Sequence, residues 1–452
     1  MPSDRLSALD AAFLHLESPG SPLHFGAVAI CDGPPPGADE LVALIEQRIG
    51  LVPRYRSRLA GSPLDHGRPR WVADPAFRVE AHVHHTALPA PGARSELSAL
   101  VARVFAAPLD RKRALWELWL VEGLDDGSFA LLFKTHHALV DGLAGVEVAR
   151  AVLDGGGRGA VAAAASAPAA PDGLLGRTLR DGVDGARAAV SLVRAAASLA
   201  ATPAETLAGA RSGASGVLAL ARELAVAAPD TPLRSNGPGR SFASVSCELS
   251  ELTRPDATVN DILLAAIAGG LRRFLASRDV PTEGLELRAL VPVALRAPGS
   301  AGGELGNRVA GLRTTLPVGI ADPLERLAAV RSAMTAVKAS PQALGVRVVT
   351  ALGTLVPPPL IAALGRTQIA PRLFNLGITN VPGPPEALSL MGRPLRSILP
   401  VPPLPRGHAL SIAMLSYDGH AGLGLLADPA ALPELDDLAG WIAEEIATLH
   451  AG

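Results

Sequence analysis

The sequence predicts an α/β protein built as two units, and three observations carry that prediction. Its 452 residues exceed the roughly 250 to 300 at which one hydrophobic core stops growing. Short apolar runs of strand type alternate with stretches of helical periodicity, as layered α/β domains require. The composition then breaks at Gly155-Gly156-Gly157, where an Ala-, Gly- and Pro-rich run to Pro171 reads as a connection. The expected division is an N-terminal domain over 1–155, a linker with crossover helices over 156–234, and a C-terminal domain over 235–452.

The elements follow in order. Gly26 to Ile30 reads as a strand and Leu41 to Ile49 as a helix. Ser128 to Lys134 is rich in strand formers and runs straight into His136-His137. Asp141 is placed to cap a helix from about Leu143 to Leu153, because its carboxylate accepts from the free N–H groups of a first turn. Beyond the break, Leu175, Leu179, Val183, Ala186, Val190, Val193 and Ala197 keep helical spacing. Arg177, Arg180, Arg187 and Arg194 lie mostly on another face, which predicts a basic amphipathic helix packed on the protein or lying on a membrane surface. A helix over Ser215 to Ala227, turns from Pro229 to Gly239 and a strand over Ser241 to Leu249 come next. The second unit then shows helices at Asn260–Leu275, Pro323–Lys338 and Leu435–His450. Its strands are expected at Leu287–Val293, Ser411–Ser416 and Gly422–Leu426.

A formal charge of −2 gives no argument for a nucleic-acid partner, which calls for a strongly basic face. Low net charge is compatible with self-association, such as a homodimer, or with membrane contact. Cys31 and Cys247 are far apart and in no metal-ligand spacing, so neither a disulfide framework nor a zinc site is expected, and a reducing cytoplasmic setting is the simplest reading. The start Met1-Pro2-Ser3-Asp4-Arg5-Leu6 lacks a basic region followed by an apolar one, so no secretory signal is read there. Val348 to Gly365 is uncharged, but Pro357-Pro358-Pro359 interrupts it. That predicts a buried or interfacial helix broken at the prolines rather than a spanning one.

The chemistry concentrates in His136-His137-Ala138-Leu139-Val140-Asp141-Gly142. Neighbouring side chains of a strand point to opposite faces, so the two histidines cannot share one task. A neutral imidazole with an ordinary pKa of about 6.5 takes a proton from a hydroxyl at neutral pH, an effect worth roughly a hundred- to ten-thousand-fold in rate. No Gly-x-Ser-x-Gly elbow and no Gly-x-x-x-x-Gly-Lys-Ser/Thr loop occurs, which favours direct transfer between two bound substrates over an acyl-serine or a nucleotide cradle. Adjacent histidines aim apart and make poor zinc ligands.

The His-His-x-x-x-Asp-Gly segment resembles the motif of the coenzyme A-dependent acyltransferase superfamily, which includes chloramphenicol acetyltransferases, nonribosomal peptide condensation domains and wax ester synthases. The flanks resemble one branch, the bacterial wax ester synthase/diacylglycerol acyltransferase family. Leu6-Ser7-Ala8-Leu9-Asp10-Ala11-Ala12-Phe13-Leu14-His15-Leu16-Glu17 is similar to its opening, with Val52-Pro53-Arg54-Tyr55-Arg56 and the Pro89-Ala90-Pro91-Gly92 corner following. Val259-Asn260-Asp261-Ile262-Leu263-Leu264-Ala265 resembles its Asn-Asp helix, and Asn380-Val381-Pro382-Gly383-Pro384 its Asn-Val-Pro-Gly-Pro turn. With Ala427-Asp428-Pro429 near the end, the likeness covers nearly the whole chain.

The resemblance implies two chloramphenicol-acetyltransferase-like α/β sandwich domains with a tunnel at their interface. It implies His137 as general base, His136 orienting the loop and Asp141 and Gly142 in support. Asp141 is expected to pair with Arg296, and Asn260-Asp261 to serve as a helix cap or in the substrate channel. Thr379, where the family has Ser more often, is expected to hold the turn or donate to an oxyanion beside Asn380. Long-chain acyl-CoA is implied as co-substrate, with no cofactor or metal. A fatty alcohol or diacylglycerol is implied as acceptor, with peripheral contact at the inner membrane face or lipid inclusions. Ala114-Leu115-Trp116 and Leu23-His24-Phe25 depart from the family's Pro-Leu-Trp and Met-His-Val, which leaves chain-length preference open. His24, His66, His82, His84, His85, His408, His420 and His450 read as core or surface histidines. The rival readings are a carrier-protein-dependent condensation or ester-forming acyltransferase, and a non-catalytic protein coating lipid droplets.

Overall fold

The computed structural model describes residues 6–18, 20–61, 69–155, 226–235, 237–294, 309–339 and 370–452. Among them the strands form two six-stranded sheets and a small hairpin. The first half contributes α1 (Ala8–Leu16), β1 (His24–Cys31), α2 (Ala38–Ile49), β2 (Ser57–Ala60), β3 (Arg70–Ala73) and β4 (Val83–Ala87). α3 (Arg94–Ala106), β5 (Trp116–Glu122), β6 (Phe129–His136) and α4 (Gly142–Val152) complete it. The second half runs β7 (Ser241–Glu248), α5 (Val259–Ser277), β8 (Leu287–Ala294), β9 (Val309–Leu316), α6 (Pro323–Ala339), α7 (Ala370–Leu373) and β10 (Leu376–Val381). It ends with β11 (Ser389–Leu390), β12 (Arg393–Val401), β13 (Leu410–Tyr417), β14 (His420–Ala427) and α8 (Leu435–Ala451).

The first sheet has the order β11-β12-β1-β6-β5-β4 and the second β7-β14-β13-β10-β8-β9. Both are mixed: β4 runs parallel to β5, and β10 parallel to both β13 and β8. Alternation along β6 sends Phe129 and Leu131 to one face, against Leu41, Ile45 and Ile49 of α2 and Val148 and Val152 of α4. Ala130 and Leu132 face the other way, against Leu97, Leu100, Val104 and Phe105 of α3. The second sheet packs on α5, α6 and α8, and α5 is buried along nearly all of Asp261 to Leu271, as its all-round apolar sequence requires.

The structure adds a feature that the simple division into halves does not contain. β11 and β12 leave the C-terminal half to complete the first sheet, with β12 antiparallel to β1 from Gly26↔Val401 to Ile30↔Ser397. Arg396 of β12 ties this strand to the end of β1 and to the β5–β6 loop, donating from Nε to Asp32 at 2.7 Å and from Nη1 to Asp126 at 2.5 Å. The two sheets meet where β12 crosses β14. There a Cβ on Gly424 would stand 1.7 Å from the Pro400 carbonyl oxygen, and one on Gly422 2.1 Å from that of Ile398. Only glycine permits such an approach at both positions.

Two expectations change. Asn380, which the sequence reading places in a turn with Thr379 just before it, is the last residue but one of strand β10, and the turn begins after Val381. The cap of α5 is Thr258 rather than the Asn260-Asp261 pair: Asp261 N–H donates to Thr258 Oγ1, while Asp261 Oδ2 accepts from Thr258 N–H at 3.0 Å. This reciprocal box satisfies two donors at a helix start. The 156–171 connection, the basic helix over Leu175–Ala197, residues 215–225 of the expected Ser215–Ala227 helix, Arg296 and the Val348–Gly365 stretch lie outside the described residues. Within the described residues, no helix is long and apolar enough to cross a membrane.

Candidate active site

β6 carries the double histidine to the end of the first sheet, where His136 is in register with His24 of β1. The chain then turns sharply. His136 N–H donates to the Leu115 carbonyl at 3.0 Å and His137 N–H to that of Leu23 at 3.1 Å, while Leu139 N–H closes back on the His136 carbonyl at 2.9 Å. Ala138, Leu139 and Val140 are fully buried. Asp141 ends the turn as the cap of α4, its Oδ1 accepting from Ala144 N–H at 2.8 Å. A capping carboxylate of this kind is worth about 1 kcal/mol. The strand and the helix start are thus set by local chemistry visible in the sequence, while the turn between them is also held by the distant Leu115 and Leu23 carbonyls.

The two histidines stand in different surroundings. His136 is 1% exposed, and its Nδ1 accepts from Ala138 N–H at 2.9 Å. Its Nε2 lies 3.5 Å from Glu17 Oε2 at the C-terminal end of α1. Glu17 also receives Leu23 N–H at 3.2 Å and Arg111, whose Nε donates at 3.1 Å. Burial raises the Glu17 carboxyl, but His136 and Arg111 together outweigh it and bring its pKa down to about 2. His137 is half-buried, with its ring stacked on Phe13 of α1 (centroids 4.9 Å apart, planes 16° apart) and tilted against Phe25 of β1 (4.4 Å, 37°).

The first turn of α4 makes room for this arrangement. A Cβ on Gly145 would sit 3.3 Å from the Phe25 ring, and one on Gly142 3.2 Å from Val381 Cγ2. Val381 is the last residue of β10, so the second sheet reaches the motif at Gly142. By strand alternation Thr379 shares the face of Val381, whereas Asn380 shares that of Leu376 and Ile378, which are in the second sheet's core. Asp261 is 6% exposed and occupied with its helix cap; its Oδ1 has no hydrogen-bond partner among the described residues.

Behind His136, the carbonyls ending α3 are gathered by the sheet. Lys134, also 1% exposed, donates to Val104 at 2.9 Å and Ala107 at 2.8 Å, and pairs with Glu117 at 3.3 Å. Burial lowers the lysine's pKa and Glu117 opposes the shift. His24 donates from Nε2 to the Phe105 carbonyl at 2.7 Å. Burial first and the Lys134 charge second hold its pKa well below the ordinary histidine value. It is a neutral core histidine, as the sequence reading expected. Trp116 donates to the Tyr55 carbonyl at 2.7 Å and stacks on His82, so the Ala114-Leu115-Trp116 segment keeps its tryptophan anchored while Leu115 accepts from His136 N–H.

Residues that sequence reasoning did not single out are Phe13, Glu17, Phe25 and Leu115. A signal existed for Phe13 and Glu17, which lie four apart on a short helix and so on one of its faces. A cavity of about 380 Å3 opens between the sheets, walled by Val28, Ile30, Leu97, Phe242, Arg396 and His420. Val28, the lining residue of β1 nearest the motif, lies four residues from His24, roughly 13 Å at strand rise, so the cavity does not reach the double histidine. Among the described residues, no group of three or more His, Cys, Asp and Glu side chains is placed to hold a metal.

Two facing mixed sheets, a strand exchanged between halves and a double histidine ending a central strand define an acyltransferase-type two-domain fold. The first condensation domain of the calcium-dependent antibiotic synthetase shares that fold, with a TM-score of 0.59 at 17% identity over 98% of this chain and 96% of that one. The wax ester synthase/diacylglycerol acyltransferase from Marinobacter aquaeolei VT8 superposes with a TM-score of 0.69 at 25% identity, covering 99% of this chain and 98% of that one. Residues 6–263 match the wax ester synthase/diacylglycerol acyltransferase catalytic domain, and residues 305–450 the C-terminal domain of the same family. Mycobacterium tuberculosis H37Rv tgs1, named a probable diacylglycerol O-acyltransferase, is 33% identical over 99% of this chain and 96% of its own length. The chain belongs to the wax ester synthase/diacylglycerol acyltransferase family and is an O-acyltransferase.

Proposed function

We propose that the chain transfers a long-chain acyl group from acyl-coenzyme A to the hydroxyl of diacylglycerol or of a fatty alcohol, with His137 as general base. His137 takes the hydroxyl proton as the oxygen attacks the thioester carbonyl. The C–O bond forms, the C–S bond breaks, and the coenzyme A thiolate leaves and is protonated. The observation that carries this reading is the half-buried His137 ring, held between Phe13 and Phe25 where Val381 of the second sheet meets Gly142. Aromatic walls exclude water from the thioester and fit an apolar chain, each buried CH2 of which contributes about 0.8 kcal/mol. Thr379, on the Val381 face of β10, is the proposed donor to the oxyanion, a contact worth roughly 3 to 4 kcal/mol. Asp141 caps α4 and so fixes the end of the loop. The scheme requires no cofactor beyond acyl-CoA as co-substrate. Because diacylglycerol resides in a bilayer or a lipid inclusion, the proposal includes peripheral contact with such a surface.

Release of free thiol from palmitoyl-CoA tests the reading, with dioleoylglycerol, hexadecanol or no acceptor, and with His137→Ala beside the wild type. Acceptor-dependent release that falls at least a hundredfold in the variant, the lower end for a lost general base, is the expected result. No release with any acceptor overturns it in favour of a carrier-bound donor or a non-catalytic lipid-surface protein.

A further inference from the structure

We infer that Glu17 is a positioning residue for acyl transfer, holding the backbone on both sides of His137 through two routes, an electrostatic contact with His136 and a hydrogen bond from Leu23 N–H. The inference rests on the reading of His137 as the base. One route runs through His136. Its Nδ1 accepts from Ala138 N–H at 2.9 Å, so that nitrogen carries a lone pair and the neutral ring keeps its proton on Nε2. Nε2 faces Glu17 Oε2 at 3.5 Å, with both side chains buried. The carboxylate thus selects the tautomer that can hold the Ala138 amide.

The second route runs through Leu23. Glu17 Oε1 accepts from Leu23 N–H at 3.2 Å, and the carbonyl of the same residue accepts from His137 N–H at 3.1 Å. The amides of His137 and of the residue after it are therefore both referred to one carboxylate. Arg111 secures that carboxylate from outside, donating to Glu17 from Nε and to the Leu14 carbonyl at 2.6 Å, which ties Glu17 to its own helix end. With a pKa of about 2, Glu17 stays ionised throughout the range in which a histidine base works. The helix that ends at Glu17 also carries Phe13, stacked on the His137 ring, so α1 sets both the backbone and the ring of the base.

A carboxylate that only stabilised the fold would change the amount of folded protein and leave turnover per folded molecule intact. A positioning carboxylate lowers kcat at unchanged KM. The test compares Glu17→Ala, Glu17→Gln and His137→Ala in the thiol-release assay, normalised to folded protein by thermal melting. It adds 15N spectra of histidine-labelled wild type, with the His136 signals assigned against His136→Gln. Expected are a kcat about 100-fold lower for Glu17→Ala, the size associated with misplacing a reacting group by about 1 Å, and a KM for palmitoyl-CoA that does not change. Glu17→Gln keeps one acceptor oxygen but turns its NH2 toward the other donor, so it supports only one of the two routes and recovers part of the loss. His136 shows a bare Nδ1 and a protonated Nε2.

Wild-type kcat in folded Glu17→Ala, or a loss confined to KM, overturns the inference. So does a His136 proton on Nδ1 in the wild type, which decides the matter even where Glu17→Ala does not fold. His137→Ala separates the two readings. If it retains turnover, the base assignment fails; if it is inactive while Glu17→Ala is not, only the positioning role fails.

Discussion

Two partly buried carboxylates, Glu17 beneath the double histidine and Glu445 on α8, are shifted in opposite directions. Glu445 faces Arg326 of α6, which is 1% exposed and donates to the carbonyls of Ala265 at 3.1 Å, Ile320 at 2.9 Å and Ala321 at 3.0 Å as well as to Glu445. Burial, helped by the neighbouring Glu444, outweighs Arg326 and Arg273 and pushes the Glu445 carboxyl up. At Glu17, His136 and Arg111 together outweigh burial and bring the carboxyl down to about 2. The Arg326 network closes on itself among α5, α6 and α8, whereas the Glu17 network ends at the half-buried ring of His137. A buried charge is part of the packing in the first place and part of the reaction apparatus in the second.

The largest effect that would break this contrast is on stability. Arg326→Ala strips three carbonyls of their donor and leaves Glu445 unpaired, which costs about 3 to 5 kcal/mol for a buried pair. The low end is expected here because Glu445 can take up a proton. Denaturant titration should show that loss while kcat per folded molecule stays at the wild-type level; a fall in kcat would place Arg326 in the reaction apparatus.

The pH dependence of the melting temperature sharpens the comparison. A depressed carboxyl such as Glu17 adds stability above its unfolded pKa of 4.5, which is lost as the pH falls toward about 2. The raised carboxyl of Glu445 has the opposite sign: its contribution is present below pH 4.5 and is lost as the pH rises through its folded value. The advantage of wild type over Glu17→Gln should therefore shrink on acidification from pH 4.5 to 2. Wild type should lose ground to Glu445→Gln as the pH rises above 4.5. Parallel profiles for the two variants would remove the distinction.

Two glycines give the smallest effects. A Cβ on Gly269 of α5 would stand 2.4 Å from the Glu445 carboxyl and 2.5 Å from Arg326, so Gly269→Ala should lower the melting point and leave kcat alone. Gly145→Ala presses on Phe25 from 3.3 Å and through it on the His137 ring. Because alanine is the better helix former by about 1 kcal/mol, this variant should melt no lower than wild type while turning over several-fold more slowly. Equal behaviour of the two would mean that the histidine end is no more sensitive than the helical core.

Much of the site could be read from the chain because its determinants are local. Strand formers lead to His136, an aspartate caps the next helix, and α4 begins one residue past Asp141. The capping box of α5 was equally local, but Thr258, three residues before Asp261, was not weighed against the Asn260-Asp261 pair. The family resemblance puts Asn380 in a turn with Pro382-Gly383-Pro384, whereas the parallel pairing of β10 with β13 keeps it, with Thr379, in a strand. What could not be read is long-range. Nothing in the residues around Glu17 points to His136, and nothing around Ile398 points to its partner Ala29 in β1, since antiparallel pairing leaves only an apolar alternation that many partners satisfy.

The strand exchange also governs the order in which the protein can be made. β1 lies between β6 and β12, so until residue 401 has left the ribosome one side of β1 is an open row of backbone donors and acceptors. An unpaired edge of that kind is a template for wrong pairing. The sheet bearing the histidines is therefore finished only after most of the other half has been synthesised, and a chain cut before β12 would present this edge to its neighbours and aggregate through it.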